Sequence, residues 1–247
     1  MPLVRARSLI LQSFPYSDTS KILRLFSREY GVRSAIAKGA QRPKSRFGGL
    51  LEPFTEGEAQ LYLKEGRDLH TLGGFDLLRS RQALGRNLTA FAGASLLAEL
   101  VLRFATEEPH PQLFHALVTA LDALAEAREP EAGAVAIAAA WEMIALLGFQ
   151  PETDACIRCG RALEPDEPSR FDVEAGGVVC TRCRTHGRVV DAASRHQLRR
   201  MSHGGGALAE EEIDRSLHRA LLRAFVVAHL SHEHPLRSLD LFTDLLR

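Results

Sequence analysis

Four cysteines carry the most specific chemistry in this chain of 247 residues. Cys156-Ile157-Arg158-Cys159 and Cys180-Thr181-Arg182-Cys183 repeat the spacing C-x2-C, with 20 residues between the pairs. Each pair forms a tight knuckle that aims two thiolates at one point, and two knuckles complete a tetrahedron suited to Zn2+. Gly160 stands where the first knuckle needs a left-handed residue, and Gly176-Gly177 suits the hairpin turn that returns the second pair. Four sulfurs leave no coordination position for a substrate water, so such a zinc is structural. Metal binding worth about 10–16 kcal/mol in small zinc peptides is enough to fold a hydrophobe-poor insert. The competing readings are free thiols or an iron–sulfur site. His186 is a substitute ligand or a surface histidine, the second being expected.

Seven arginines surround this module: Arg158, Arg182, Arg184, Arg188, Arg195, Arg199 and Arg200. They are read as partners of Glu164, Asp166, Glu167 and Asp172, with a second phosphate-contact patch as the functional alternative. His229, His232 and His234 are expected to be helix-end histidines rather than a second metal site, since His234 precedes Pro235 and leaves helical backbone. No phosphate-binding loop, dinucleotide fingerprint, nucleophile elbow or H-E-x-x-H occurs. No catalytic residue is assigned, and the chain is read as non-enzymatic.

Charge supplies the second signal. Formal net charge is zero overall. Residues 1–47 nonetheless hold ten Lys and Arg against Asp18 and Glu29, a net +8, which leaves −8 for the remaining 200. A basic pole with interleaved aromatics suits single-stranded nucleic acid, because cations neutralise phosphates while bases stack on ring faces. Period-two alternation puts Ile22, Arg24, Phe26 and Arg28 on one strand face. Tyr16, Phe47 and Tyr62 are further stacking candidates, whereas Phe26 is the most core-like of the rings. Lys38, Arg42, Lys44 and Arg46 lie in a Gly-flanked segment that Pro43 keeps from being helical.

These residues need a frame. Strand-like runs at 3–4 with 8–11, 21–27, 32–38, 56–64 and a fifth starting over 68–72, with turns over 14–18, 29–31 and 65–67, predict a small closed barrel. Beyond residue 80 apolar residues recur at three- and four-residue steps. Helices are expected over 84–104, 114–124 and 132–147, with a break at 107–111 and an end near Pro130. Gly148 is a left-handed cap and Trp141 a core residue. Asp191 caps a short helix through Met201, a loop spans 202–206, and helices follow over 208–230 and 236–246.

An apolar share of 45% allows a packed core. No stretch approaches the roughly 18 apolar residues of a membrane span, and the N-terminal run is too short for a signal peptide. A cytoplasmic chain with metal-bound rather than disulfide-bonded cysteines is expected.

The stretch from Tyr16-Ser17-Asp18 through Lys21-Ile22-Leu23-Arg24 to Glu29-Tyr30-Gly31 is followed by Ala37-Lys38-Gly39-Ala40-Gln41-Arg42-Pro43-Lys44-Ser45 and Leu50-Leu51-Glu52-Pro53-Phe54. With the cysteine pairs and the end His229-Leu230…Pro235-Leu236-Arg237-Ser238, the sequence resembles the RecO family of bacterial DNA-repair recombination mediators, in its zinc-bearing form. The resemblance implies an α+β chain: an OB-fold over 1–79, then an α-helical domain over 80–247 with the zinc module inserted at 153–188. It implies binding and annealing of single- and double-stranded DNA. It also implies helping to load recombinase onto strands coated by single-stranded-DNA-binding protein. Its partners would be RecR and the acidic, Phe-ended tail of that coating protein, with no membrane. The expected DNA contacts are Lys21, Arg24, Arg28, Lys38, Arg42, Lys44 and Arg46, and the expected metal ligands Cys156, Cys159, Cys180 and Cys183. The rival reading is a zinc-module adaptor whose basic barrel binds RNA or a protein.

Overall fold

A computed structural model describes residues 2–63, 66–183, 187–204, 213–231 and 235–246. Five strands come first: β1 (Leu3–Tyr16), β2 (Ser20–Ser27), β3 (Gly31–Ala37), β4 (Glu56–Tyr62) and β5 (Leu69–Arg79). They close in the order β1-β2-β3-β5-β4, with β3 and β5 parallel and every other pair antiparallel. This is the OB arrangement.

Closure depends on β1 being one strand of 14 residues rather than two short runs ended by a turn at residue 14. Its first half pairs with β4 and its second half with β2, and the register shifts between Ile10 and Gln12. An irregularity there bends the strand so that it serves both neighbours. The turn falls later, after Tyr16. β5 likewise continues past Leu72, through Gly73-Gly74, to Arg79. A Cβ on Gly73 would lie 2.7 Å from the Tyr62 ring, so only glycine carries the strand round this corner. Ile10, Leu23, Leu25, Ala35, Ala37, Ala59, Leu61 and Leu72 fill the interior.

Among the described residues six α-helices follow: α1 (Leu88–Phe104), α2 (Pro111–Glu126), α3 (Glu129–Leu146), α4 (Ala192–Ser202), α5 (Arg215–Leu230) and α6 (Arg237–Leu245). Leu84 lies in a separate turn of 3-10 helix over 82–86. The breaks expected at 107–111 and near Pro130 are present, α1 ending at Phe104 and α2 at Glu126. The prolines themselves open the helices that follow: Pro111 is the first residue of α2 and Pro130 the second of α3, where a missing N–H costs no helical bond. Asp191 caps α4 as expected, accepting from the Ser194 N–H at 2.7 Å. The α5 helix begins at Arg215, because Asp214 accepts from the Leu217 N–H at 2.9 Å and forms its cap. The earlier start at 208 was expected from apolar spacing; residues 205–212 lie outside the described residues. No described helix is long and apolar enough to cross a membrane.

Two compact units result. One comprises residues 1–84 with 98–125, the other 85–97 with 126–247. In the first, Arg81 is buried and joins α2 to the barrel. Its guanidinium reaches Asp122 at 2.5 Å, Glu56 at 2.8 Å and the Phe54 carbonyl at 3.1 Å. Glu56 also takes Arg7 at 2.6 Å, and Asp122 takes Arg79 at 2.6 Å. In the second unit Trp141 is fully buried against Phe225, ring centroids 5.1 Å apart, and Phe225 meets Phe171 of the cysteine module at 6.2 Å.

Arg81→Ala strands Glu56 without its buried partner, and a loss of about 3–5 kcal/mol is expected in urea unfolding. A change under about 1 kcal/mol contradicts this role. His218, on α5, is fully buried with its Nε2 3.0 Å from Gln197 Oε1. Burial pushes its pKa down to about 4, against the weaker pull of Asp214 and Asp191. The unfolded chain therefore takes a proton near pH 6.5 that the folded chain refuses. Stability is expected to fall as pH drops from 6.5 through 4, by at most about 3 kcal/mol, and His218→Gln should flatten that part of the profile.

Candidate nucleic-acid interface and metal centre

Alternation along β2 sends Leu23 and Leu25 inward and Ile22, Arg24 and Phe26 outward. Cross-strand register builds two rows on the outer surface: Phe14–Ile22–Ile36, continuing to Thr71 and Tyr62, and beside it Gln12–Arg24–Ser34. One end of this face is covered, because Phe26 packs on Phe114 of α2 with centroids 5.6 Å apart. The other end is open. Phe14 is 47% exposed, Tyr16 51% and Tyr62 38%. Phe26 is core, and Phe47, expected to stack on bases, is only 2% exposed. Phe14 takes its place on the surface. A turn had been expected at Phe14; the alternation that continues through residue 16 is the signal that reveals it.

The segment after β3 is a run of tight turns. Backbone bonds link Ala40 to Ala37, Arg42 to Gly39, Ser45 to Arg42, Gly48 to Ser45 and Leu50 to Phe47, each N–H donating to the earlier carbonyl. Phe47 and Leu51 anchor it by entering the barrel core. Gln41 ties it to the β1–β2 turn, its amide donating to the carbonyls of Ser17 at 3.1 Å and Ser20 at 2.8 Å. Lys38, Arg42, Lys44 and Arg46 are all exposed on this anchored segment.

Carboxylates claim part of the basic pole. Lys21 pairs with Glu52 at 2.9 Å, Arg33 with Glu107 at 2.6 Å, Arg7 with Glu56 and Arg5 with Glu58 at 3.6 Å. Among the described residues no carboxylate pairs with Arg24, Arg28, Lys38, Arg42, Lys44 or Arg46, although Arg46 lies over the Phe47 ring at 5.0 Å. The Arg24 Nε is buried without a partner. The structure therefore gathers Arg24 and the four residues of 38–46 near the open aromatic end. Arg28 stands at the other end of β2, about 23 Å from Lys21 at strand rise, beside the turn that meets Arg7. Near it, Gly31 lies under the 106–108 backbone, where a Cβ would come within 2.6 Å of three atoms.

The cysteine module is a three-stranded sheet, β7-β6-β8, of β6 (Ser169–Asp172), β7 (Gly177–Cys180) and β8 (Arg188–Val190). The Ile157 N–H donates to the Val178 carbonyl and bonds between residues 152 and 178 lock the first knuckle to β7. Gly160 closes that knuckle at φ +71°. All four Sγ atoms lie within 4.8 Å of one another, and Cys159 and Cys180 are 3.9 Å apart. A tetrahedron with bonds of about 2.3 Å places sulfurs about 3.8 Å apart, so the set fits a metal ion. Burial opposes the Cys180 thiolate, but the backbone N–H groups of Cys183 and Arg182 together with the side chains of Cys183 and Cys156 outweigh it and bring the pKa down to about 6. Neighbouring sulfurs of Cys159 and Cys180 push Cys183 up to about 12. Four thiols this close ionise together only around a cation.

Local pairing accounts for several arginines of the module. Arg158 holds Asp172 at 2.9 Å, Arg199 holds Asp154 at 2.9 Å and Arg161 holds Glu167. Arg195 is buried and donates instead to the carbonyls of Thr153, Glu164 and Pro165. His229 Nε2 bonds the Val173 carbonyl at 2.6 Å and its ring rests on Phe225 at 4.4 Å, so it clamps the β6–β7 turn to α5. His186, His232, His234 and Arg184 lie outside the described residues.

A closed OB barrel with an open cationic–aromatic face, followed by helices that carry a four-cysteine module fit for a metal ion, defines this chain as a two-part barrel-and-helix protein. The family profile for the recombination protein O N terminal matches residues 1–81, and that for its C terminal matches residues 85–240. The chain is 34% identical over 236 residues to the DNA repair protein RecO of Rubrobacter xylanophilus, covering 93% of each chain. It is 34% identical over 242 residues to that of Myxococcus xanthus, covering 94% of each. To that of Prosthecochloris aestuarii it is 30% identical over 255 residues, covering 96% of this chain and 95% of the relative. The chain belongs to the RecO family of DNA-repair proteins.

Elemental analysis should find one divalent metal ion per chain. Cys156→Ser is expected to lose it and to melt about 5–10 °C lower. Full metal content with unaltered melting contradicts the four-sulfur site.

Proposed function

We propose that this chain is a non-enzymatic recombination mediator that binds single- and double-stranded DNA, anneals complementary strands and helps load recombinase onto strands coated by single-stranded-DNA-binding protein. The observation that carries this reading is the juxtaposition of Lys38, Arg42, Lys44, Arg46 and Arg24, without carboxylate partners among the described residues, with exposed Phe14 and Tyr16. Cations on an anchored segment attract backbone phosphates, and rings beside them take unstacked bases. Annealing follows from the same chemistry. Two strands repel each other through their phosphates, and a fixed cationic surface screens that repulsion while leaving base edges free to pair.

We further read residues 1–79 as the nucleic-acid-binding domain and 80–247 as a helical domain with the module at 153–188. The metal is zinc, which an all-thiolate tetrahedral set favours over harder cations. Bound there it holds two knuckles together and performs no chemistry. Lys21 and Arg28 take lesser roles in DNA binding, the first because Glu52 offsets its charge and the second because of its distance along β2. Family membership supports RecR and the acidic tail of the single-stranded-DNA-binding protein as partners, and a site of action in the cytoplasm at the nucleoid.

Replacing Lys38, Arg42, Lys44 and Arg46 together with Ala should weaken oligonucleotide binding and lower the slope of log K against log salt by about 3. Annealing of short complementary strands should slow in parallel. An unchanged slope refutes the assignment, and absence of DNA binding by the wild type at low salt favours an adaptor. Phe14→Ala and Tyr16→Ala are each expected to cost about 1–3 kcal/mol of single-strand binding with little change in slope. Affinity equal to wild type removes the stacking role.

A further inference from the structure

We propose a second phosphate-binding site in the helical part of the chain, formed by Arg188 of β8 with Arg219 and Arg223 of α5. These three guanidinium-bearing residues line a cavity of about 320 Å³ whose remaining walls are Ala220, Ala224 and Thr243. Among the described residues no carboxylate lines it. Arg219 donates to the Thr243 carbonyl at 3.3 Å, and Arg223 pairs with Asp240 of α6 at 3.0 Å. Both bonds orient the arginines, yet one carboxylate offsets only one of three charges. Arg219 and Arg223 are four residues apart on α5, so two like charges face each other along the helix, an arrangement that an anion between them relieves.

The lining selects the ligand. Guanidinium forks match phosphate oxygens in pairs, and two alanines keep the floor low enough for a tetrahedral group to sit between them. A peptide would need an aromatic or aliphatic anchor pocket, and no large apolar side chain lines this one. A phosphate group is therefore the occupant, and a DNA backbone its source. That source rests on the DNA-binding reading above, while the affinity for phosphate does not. Arg158, Arg195 and Arg199 spend their charge within the module, whereas Arg188 lines this cavity.

Two full-length variants test this: Arg188→Gln with Arg223→Gln, and Ala220→Glu, which places an internal anion on the cavity floor and removes no existing bond. Binding of a labelled single strand of about 30 nucleotides is followed by anisotropy between about 50 and 300 mM salt. Both variants should bind about 3–10-fold more weakly at low salt, with a slope lower by about 1–2, and retain wild-type melting and metal content. In a parallel arm, inorganic phosphate at matched ionic strength should raise the melting temperature of the wild type and not of Ala220→Glu. Unchanged DNA binding in Ala220→Glu overturns the proposal, whether or not the double variant folds. Stabilisation by phosphate without any DNA effect makes free phosphate the occupant and overturns the assigned source. A wild type that fails to bind DNA at all removes the DNA-binding reading, and the phosphate arm alone then decides whether the pocket holds an anion.

Discussion

Everything proposed for the barrel depends on two apolar side chains that leave a polar segment and enter the core. Phe47 and Leu51 follow a run of Lys, Arg, Pro and Gly that would be a solvated loop if left to itself. Their burial beside Ile10, Leu23 and Leu61 makes the segment part of the barrel. Burying a Phe and a Leu contributes roughly 1.5–3 kcal/mol each, enough to offset the entropy of ordering a few residues. A cationic surface that is ordered in advance pays less on binding than one that must freeze around its ligand.

Carboxylates then decide which basic residues remain available. Arg7, Arg33 and Lys21 are spent on Glu56, Glu107 and Glu52, and these pairs tie β1 to β4, β3 to the α1–α2 connection and β2 to the β3–β4 connection. What remains, Arg28 apart, is concentrated at the end of the face that α2 leaves open. Phe26 and Phe14 lie on the same outer surface of the barrel, and their contrast shows the division: Phe114 covers the first, and the second is half exposed. One helix thus fixes where rings and charge meet.

The clustering of the four cysteines was legible in the sequence, because both knuckles are local and their spacing carries the geometry. So were the number of barrel strands, Trp141 as core and the Asp191 cap, each set by a few neighbouring residues. What was hidden depends on distant parts of the chain. Phe47, expected on the surface, is buried and Phe14, expected in a turn, is an exposed strand residue, because core packing, not local polarity, chooses which ring is buried. Pro111 and Pro130 mark the expected breaks but belong to the helices that follow, since a proline at a helix start looks the same in sequence as one after a helix end. Arg81 has no pattern around it, yet it reaches the Phe54 carbonyl and Glu56 in one distant stretch and Asp122 in another. The phosphate pocket likewise joins Arg188 to residues of α5 that lie more than 30 positions away in the chain.

Hydrogen exchange of the full-length protein with and without a short single strand tests the barrel's role most directly. Protection is expected in the 38–49 segment, the β1–β2 hairpin tip and the outer rows around Arg24, while amides at the Phe26–Phe114 end stay unchanged. Protection confined to the covered end, or none in 38–49 under conditions where the strand is bound, contradicts a DNA grip built on this surface.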